Sequence, residues 1–339
     1  MNITSIPLLI EPAAMSPELE RLGHETIRAL AFLLIPIELL YFSIYFLLQG
    51  QYGLHKKLTF LSLSTFWLSN WMTPISCGPI AVLRNFIVAT FTLKALDIFA
   101  RRSSLPAYSA GKTPPTWQHA LLLLTEFRYE SFTPNYIRVS PTQETFNEPL
   151  QLAIHVALFC AFQILPQHWP LVLAYEFYLG IYIAWTTAQL CTRYKSSPAL
   201  FGRLYAVDSI AGFWSRTWHT LYLAPLTSLI LEPLRKNLPK SVARPVGVLS
   251  SFLLMAAFHI YVLQPWFNRE ALFRVGVLFA VNGFAVIGET MVWQGRSSWV
   301  KTALAWVFGM CVASWLADGL GSDFKGGLLG VRWKDVCHV

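Results

Sequence analysis

Runs of apolar residues about as long as a bilayer is thick dominate this chain, and they restrict its fold more than any other feature. A hydrocarbon core needs about 20 mostly apolar residues per crossing helix, and Ala29 to Leu48, Leu171 to Leu190 and Val246 to Leu263 meet or approach that length. A large soluble core would be cut into shorter elements by frequent charges. Here only 13% of the 339 residues are charged and 55% are hydrophobic, whereas an ordinary soluble domain has roughly 25% charged residues. In lipid every backbone polar group must be paired within the protein, which leaves helices and closed barrels. The chain has neither the alternating ten-residue pattern of a barrel nor an internal repeat. The expected fold is therefore an all-α, polytopic integral membrane helical bundle.

About eight spans are expected. They begin with Ala29 to Leu48, which carries Glu38 near its middle, and Pro79 to Ala100, which is interrupted by Arg84 and Lys94. A carboxyl at such a depth is costly and is expected to face protein or a water-filled cavity. Leu58 to Met72, shorter and rich in Trp and Ser, reads as a re-entrant segment, and Arg101 to Asn147 as a loop with an interfacial helix at Leu121 to Leu124. Leu150 to Leu165 and Leu171 to Leu190, the latter with Glu176, are joined by Pro166 to Pro170 and should be antiparallel neighbours. Trp218 to Leu231, broken by Pro225, comes next, and Val246 to Leu263, Val275 to Ile287 and Thr302 to Leu316 complete the set. Residues 1–28 are expected to form a non-membrane segment without the basic region and cleavage site of a signal peptide. The first helix would then act as signal anchor, and residues 29–339 form one membrane domain.

The formal charge of +8 is spread over short basic clusters between the apolar runs. That distribution points to anionic lipid headgroups rather than nucleic acid. The phosphates of CoA are the functional alternative. Five scattered cysteines suggest neither a disulfide framework nor a zinc pattern, and no metal or resident cofactor is expected.

Two histidines carry the chemistry. Phe213-Trp214-Ser215-Arg216-Thr217-Trp218-His219 packs three large aromatics, a guanidinium and an imidazole into seven residues. An interfacial aromatic belt with a snorkelling Arg216 accounts for most of it, but not for His219. His259 lies in an apolar helix with no charged residue between Arg244 and Arg269. An intramembrane imidazole is expensive unless it is paired or functional.

Ser209, then Phe-Trp-x-Arg-x-Trp-His at 213–219, then a lone histidine 40 positions later on a hydrophobic helix resembles the signature of wax-synthase-like membrane-bound O-acyltransferases. The resemblance covers about 205–320. It implies that His259 is the catalytic residue and His219 its partner, with Phe213, Trp214, Arg216 and Trp218 as candidates for binding substrate or CoA. There are departures: Ala256-Ala257 stands where relatives often have Ser-Gly, and the middle loop offers only Phe127-Arg128-Tyr129-Glu130-Ser131 in place of an Arg-Gly-Ile-Gly-Trp element.

An alcohol is a poor nucleophile, so ester formation from a thioester needs a base for its proton, and neutral His259 suits that role. A donor must meet the negative charge on the thioester oxygen, for which His219 or Trp218 is suited. The resemblance further implies acyl-CoA, most simply acetyl-CoA, as co-substrate and a hydrophobic terpenoid or meroterpenoid alcohol as acceptor, in an endoplasmic-reticulum-type membrane. One alternative is a long-chain-alcohol wax ester synthase. Another, from a different class, is a transporter that relays through Glu38, Glu176 and His259.

Overall fold

The computed structural model describes residues 17–138, 147–166, 168–192, 200–320 and 337. Within them the chain forms α1 (Pro17–Leu48), α2 (Tyr52–Met72), α3 (Gly78–Ala100), β1 (Ala107–Tyr108), α4 (Thr116–Thr125), β2 (Phe132–Thr133), α5 (Glu148–Phe162), α6 (Pro170–Thr192), α7 (Ile210–Gly212), α8 (Leu223–Leu226), α9 (Glu232–Asn237), α10 (Lys240–Leu263), α11 (Arg269–Trp293) and α12 (Trp299–Asp318). The fold is all-α apart from the two-residue strands β1 and β2, which pair antiparallel.

Six helices, α1, α3, α6, α10, α11 and α12, are long and apolar enough to cross a membrane. Their outer surfaces are hydrophobic: Ile27 of α1 is 67% exposed, Val292 of α11 70% and Trp299 of α12 82%. Such side chains would be a liability in water and fit a lipid surround, the tryptophan belonging near a helix end at the interface. Leu150 to Leu165 becomes the 15-residue α5, which is shorter than a full crossing. Trp218 to Leu231 does not form a full-length span: residues 218–222 are irregular, and the helical run that follows, α8, a π-helical turn at Thr227–Leu231 and α9, ends at Asn237. The segment expected to be re-entrant lies within one continuous 21-residue helix, α2.

Helical phase explains where the polar residues of the spans go. In α1 the buried Leu33, Leu40, Ile44 and Leu47 share a face, and Glu38 falls on the opposite side, where it is exposed. It faces neither protein nor cavity, contrary to the expectation. In α3 the charges turn inward. Arg84 donates to the Thr73 carbonyl (2.6 Å), and Lys94 donates to the Glu126 carbonyl (2.8 Å). Asp97 accepts from Arg101 (2.7 Å), Tyr129 (2.6 Å) and Ser228 (2.5 Å). Glu126 in turn accepts from the backbone and side chain of Ser131. Leu122, Leu123 and Leu124 of α4, expected at the membrane interface, are buried in the core that surrounds this network.

The second half builds the wall of a cavity. α10 packs on α11, α11 on α12, and α12 on α6, while α5 covers α6 and α3 touches α10. Small residues let the first pair approach closely: a Cβ on Gly283 would sit 3.2 Å from Phe252, and one on Gly276 would sit 3.3 Å from Ile260. Glu176 of α6 accepts from Gln163 at the end of α5 (3.0 Å), which ties those neighbours together. Cys77 and Cys337 are joined as a disulfide, a pairing that the scattered positions did not disclose.

Candidate functional site

Ser209 begins the site. Its extended backbone (φ −170°, ψ 156°) starts α7, and its hydroxyl accepts from Gly212 N (3.0 Å) while donating to Asp208 (2.7 Å). The other free N–H groups of this first turn are taken by Glu289 of α11, which accepts from Ile210 N (2.6 Å) and Ala211 N (3.3 Å) and lies 3.9 Å from Lys301 of α12. Gly212 is required by crowding. A Cβ there would lie 2.5 Å from the Ser209 hydroxyl and 2.6 Å from both Arg216 and Asp208.

A π-helical turn at Phe213–Thr217 follows, closed by Trp218 N donating to the Phe213 carbonyl (2.7 Å), and the chain then leaves in extended form at Trp218 (ψ 158°). The widened turn gathers its rings. Phe213 stacks on Trp218 with centroids 5.8 Å apart, and Trp214 meets Trp218 edge-on at 6.3 Å. The Trp214 indole donates to the Asn282 side-chain oxygen (2.8 Å), whose amide donates to the Leu278 carbonyl (2.8 Å). The aromatic segment and the turn before it are thus fastened to α11 by Asn282 and Glu289, with Phe279 packed against Trp214 at 5.7 Å.

His259 faces this segment from α10. Its Nδ1 is 2.7 Å from the Met255 carbonyl, and a carbonyl only accepts, so Nδ1 carries the hydrogen and Nε2 keeps its lone pair. The ring rests on Phe279, with centroids 4.5 Å apart. His259 lines a cavity of about 500 Å³, within the usual range for a small-molecule site, whose walls come from α6, α10, α11, α12 and residues 204–218. Tyr178, Phe213, Trp214, Trp218, Phe279 and Trp306 supply aromatic surface. Among the described residues no charged side chain lines it. Trp214 and Trp306 direct their indole N–H groups to Asn282 and to the Val207 carbonyl. The Trp218 indole N–H has no hydrogen-bond partner among the described residues.

His259, Phe213, Trp214 and Trp218 therefore converge on one cavity. His219 stands beside it rather than on its wall, packed against Trp218 (5.2 Å), Tyr222 (5.8 Å) and Phe201 (5.9 Å). Burial, and after it the nearby His259, pushes the His219 imidazole down to about 3, so it is neutral at ordinary pH. Its Nδ1 is buried without a hydrogen-bond partner among the described residues. Arg216 lies on the exposed side, paired with Asp208 at 2.7 Å, both about half exposed. Asn282 and Glu289 were not singled out from the sequence. The rule that singles out His259, a polar group inside an apolar span, applies equally to Asn282.

Residues 197–283 match the model of the family described as Membrane bound O-acyl transferase family. The stretch is about a quarter of the chain and contains the 213–219 segment, His259 and Asn282. Comparisons with curated proteins and with solved structures give no match. The family match and the apolar helices together support a membrane-bound O-acyltransferase.

Proposed function

We propose that this protein transfers an acyl group, acetyl in the simplest case, from acyl-CoA to the hydroxyl of a hydrophobic acceptor of terpenoid or meroterpenoid type, as a step of secondary-metabolite biosynthesis in the endoplasmic-reticulum membrane. The observation that carries this reading is His259, whose Met255 contact leaves Nε2 free on the wall of an aromatic, uncharged cavity of about 500 Å³. Such a lining suits a neutral hydrophobic alcohol and keeps out the water that would hydrolyse the donor. The acetyl and terpenoid preferences rest on the resemblance of the 213–219 and 259 motifs.

In this scheme Nε2 of His259 takes the hydroxyl proton as the acceptor oxygen attacks the thioester carbonyl carbon. The Trp218 indole N–H, which has no hydrogen-bond partner among the described residues, meets the oxygen that becomes negative. On collapse the C–S bond breaks, the imidazolium returns its proton to the departing CoA sulfur, and ester and free CoA result. His219, neutral and near His259, is the partner that the resemblance assigns to the base. Arg216, on the exposed side, exchanges Asp208 for a CoA phosphate through its two-pronged guanidinium. The relay reading gains nothing from the geometry: Glu38 is exposed on the outside of α1 and Glu176 is held by Gln163, so neither lines the cavity with His259.

The test is acyl transfer by membranes containing the wild type or His259→Ala, given labelled acetyl-CoA, longer acyl-CoAs, and terpenoid and long-chain alcohols. An ester formed from acetyl-CoA and terpenoid alcohols by the wild type alone supports the proposal. Ester formation from long-chain alcohols and long donors moves the reading to a wax ester synthase. A fully active His259→Ala removes the mechanism.

A further inference from the structure

Within the cavity that contains His259, one amide is placed for a task the aromatic motif does not cover. Asn282 is 7% exposed and lines the cavity. Its orientation is fixed from both ends, because the Trp214 indole can only donate and the Leu278 carbonyl can only accept. These bonds use one of its two N–H hydrogens and one of the two lone pairs on its oxygen. Among the described residues nothing takes the second N–H or the second lone pair, in a space that is otherwise nearly all apolar. A buried amide with spare hydrogen-bonding capacity is costly unless a ligand completes it.

Its position relative to the base is also defined. Phe279 carries the His259 ring, and Asn282 follows three residues later on the same helix, roughly 4.5 Å further along the axis. Base and amide thus line the same cavity less than a full turn of α11 apart, so that one substrate can reach both.

We propose that Asn282 is a substrate-contacting residue that hydrogen-bonds a second oxygen of the acceptor, such as a carbonyl, ether or further hydroxyl, while its hydroxyl addresses His259. The inference rests on the acyl-transfer reading and deepens it. The acceptor is an oxygenated hydrophobic molecule rather than a simple long-chain alcohol. A site built to bond a second oxygen discriminates against the analogue that lacks it, because the amide is then left incomplete.

The experiment compares wild type, Asn282→Leu and Trp214→Phe in membranes, assayed for acyl transfer to two acceptors that share a ring skeleton and hydroxyl, one of them lacking the second oxygen. Trp214→Phe breaks the same Trp–Asn bond but leaves the amide in place. We expect Asn282→Leu to lower kcat/KM about 10²-fold for the oxygenated acceptor and by at most a few-fold for the deoxy analogue, with Trp214→Phe affecting both equally and less. The proposal is overturned if Asn282→Leu and Trp214→Phe reduce both acceptors alike, which makes the amide a prop for Trp214. It is also overturned if Asn282→Leu, active on both acceptors, loses no selectivity. Either result leaves the acyl-transfer reading standing, provided His259→Ala is inactive. Wild-type membranes that acylate no acceptor at all overturn both.

Discussion

Two regions of this protein place ionisable groups inside an apolar bundle, and they do so in opposite ways. Around α3, Lys94, Asp97 and Arg101 are each tied to partners. Asp97 holds three donors, Arg101 also reaches Tyr136 (2.7 Å) and the Ala224 carbonyl (3.1 Å), and Lys94 lies over the Tyr129 ring at 4.1 Å. Between α10 and α11, His259 uses one nitrogen for the Met255 carbonyl and presents the other to a cavity. The first arrangement is closed and joins α3, the 126–136 loop and the turn after α8. The second is left open on one side. Charge inside the bundle is thus no marker of chemistry by itself; an unfilled bond facing a space is.

The sharpest test of this contrast substitutes one residue from each region. His259→Ala should cost 10²–10⁴-fold in kcat, the usual worth of a general base, with little change in thermal unfolding in detergent. Asp97→Ala should do the reverse in kind, destabilising the fold by about 3–5 kcal/mol because it strands Arg101 in the interior. Protein that survives should bind substrate normally. If Asp97→Ala folds well and is inactive, the closed network is part of the catalytic machinery and the contrast fails.

Trp218→Phe comes next in size. Phenylalanine keeps the ring contacts with Phe213 and Tyr178 but removes a cavity indole N–H that has no hydrogen-bond partner among the described residues. Loss of a donor to a developing oxyanion costs about 10²-fold in kcat, with KM nearly unchanged. An equal rise in KM would mean that Trp218 only shapes the pocket.

How much of this was legible beforehand depends on the physics of each part. Val246 to Leu263, Val275 to Ile287 and Thr302 to Leu316 could be read because a bilayer imposes length and hydropathy on each span separately. His259 was legible for the same reason, as a polar exception in such a run. The inward turn of Arg84 and Lys94 depends on partners from other elements, Thr73 and the Glu126 carbonyl, which no local pattern reveals. The segment from Trp218 to Leu231 reads as a span because hydropathy does not register the extended residue at Trp218 or the π turn within the short helical run from Leu223 to Asn237. Glu289 was passed over although it closes the first turn of α7 from 78 and 79 residues away in sequence.

Arg216 provides the smallest effect and the finest division between the two regions. It is charged and belongs to the aromatic motif, yet its pairing with Asp208 at 2.7 Å closes it like Arg101, only at the surface. Partial burial works against ionisation of Asp208, but the hydrogen bonds from Ser209 and Arg216 prevail and hold its carboxyl below the ordinary value. A carboxyl lowered in this way stabilises the folded state above the ordinary carboxylate range, and the contribution is lost as pH falls below it. Arg216→Ala should therefore change unfolding by less than about 1 kcal/mol at neutral pH, as exposed pairs do, and the difference from wild type should begin to shrink only below about pH 4 and be lost once the lowered Asp208 carboxyl is itself protonated. Its effect on catalysis should be a several-fold rise in KM for acyl-CoA at constant kcat, partly restored by Arg216→Lys and erased at high salt. If KM for the donor is unchanged, Arg216 belongs with the closed groups, and the donor's phosphates are held by other cations.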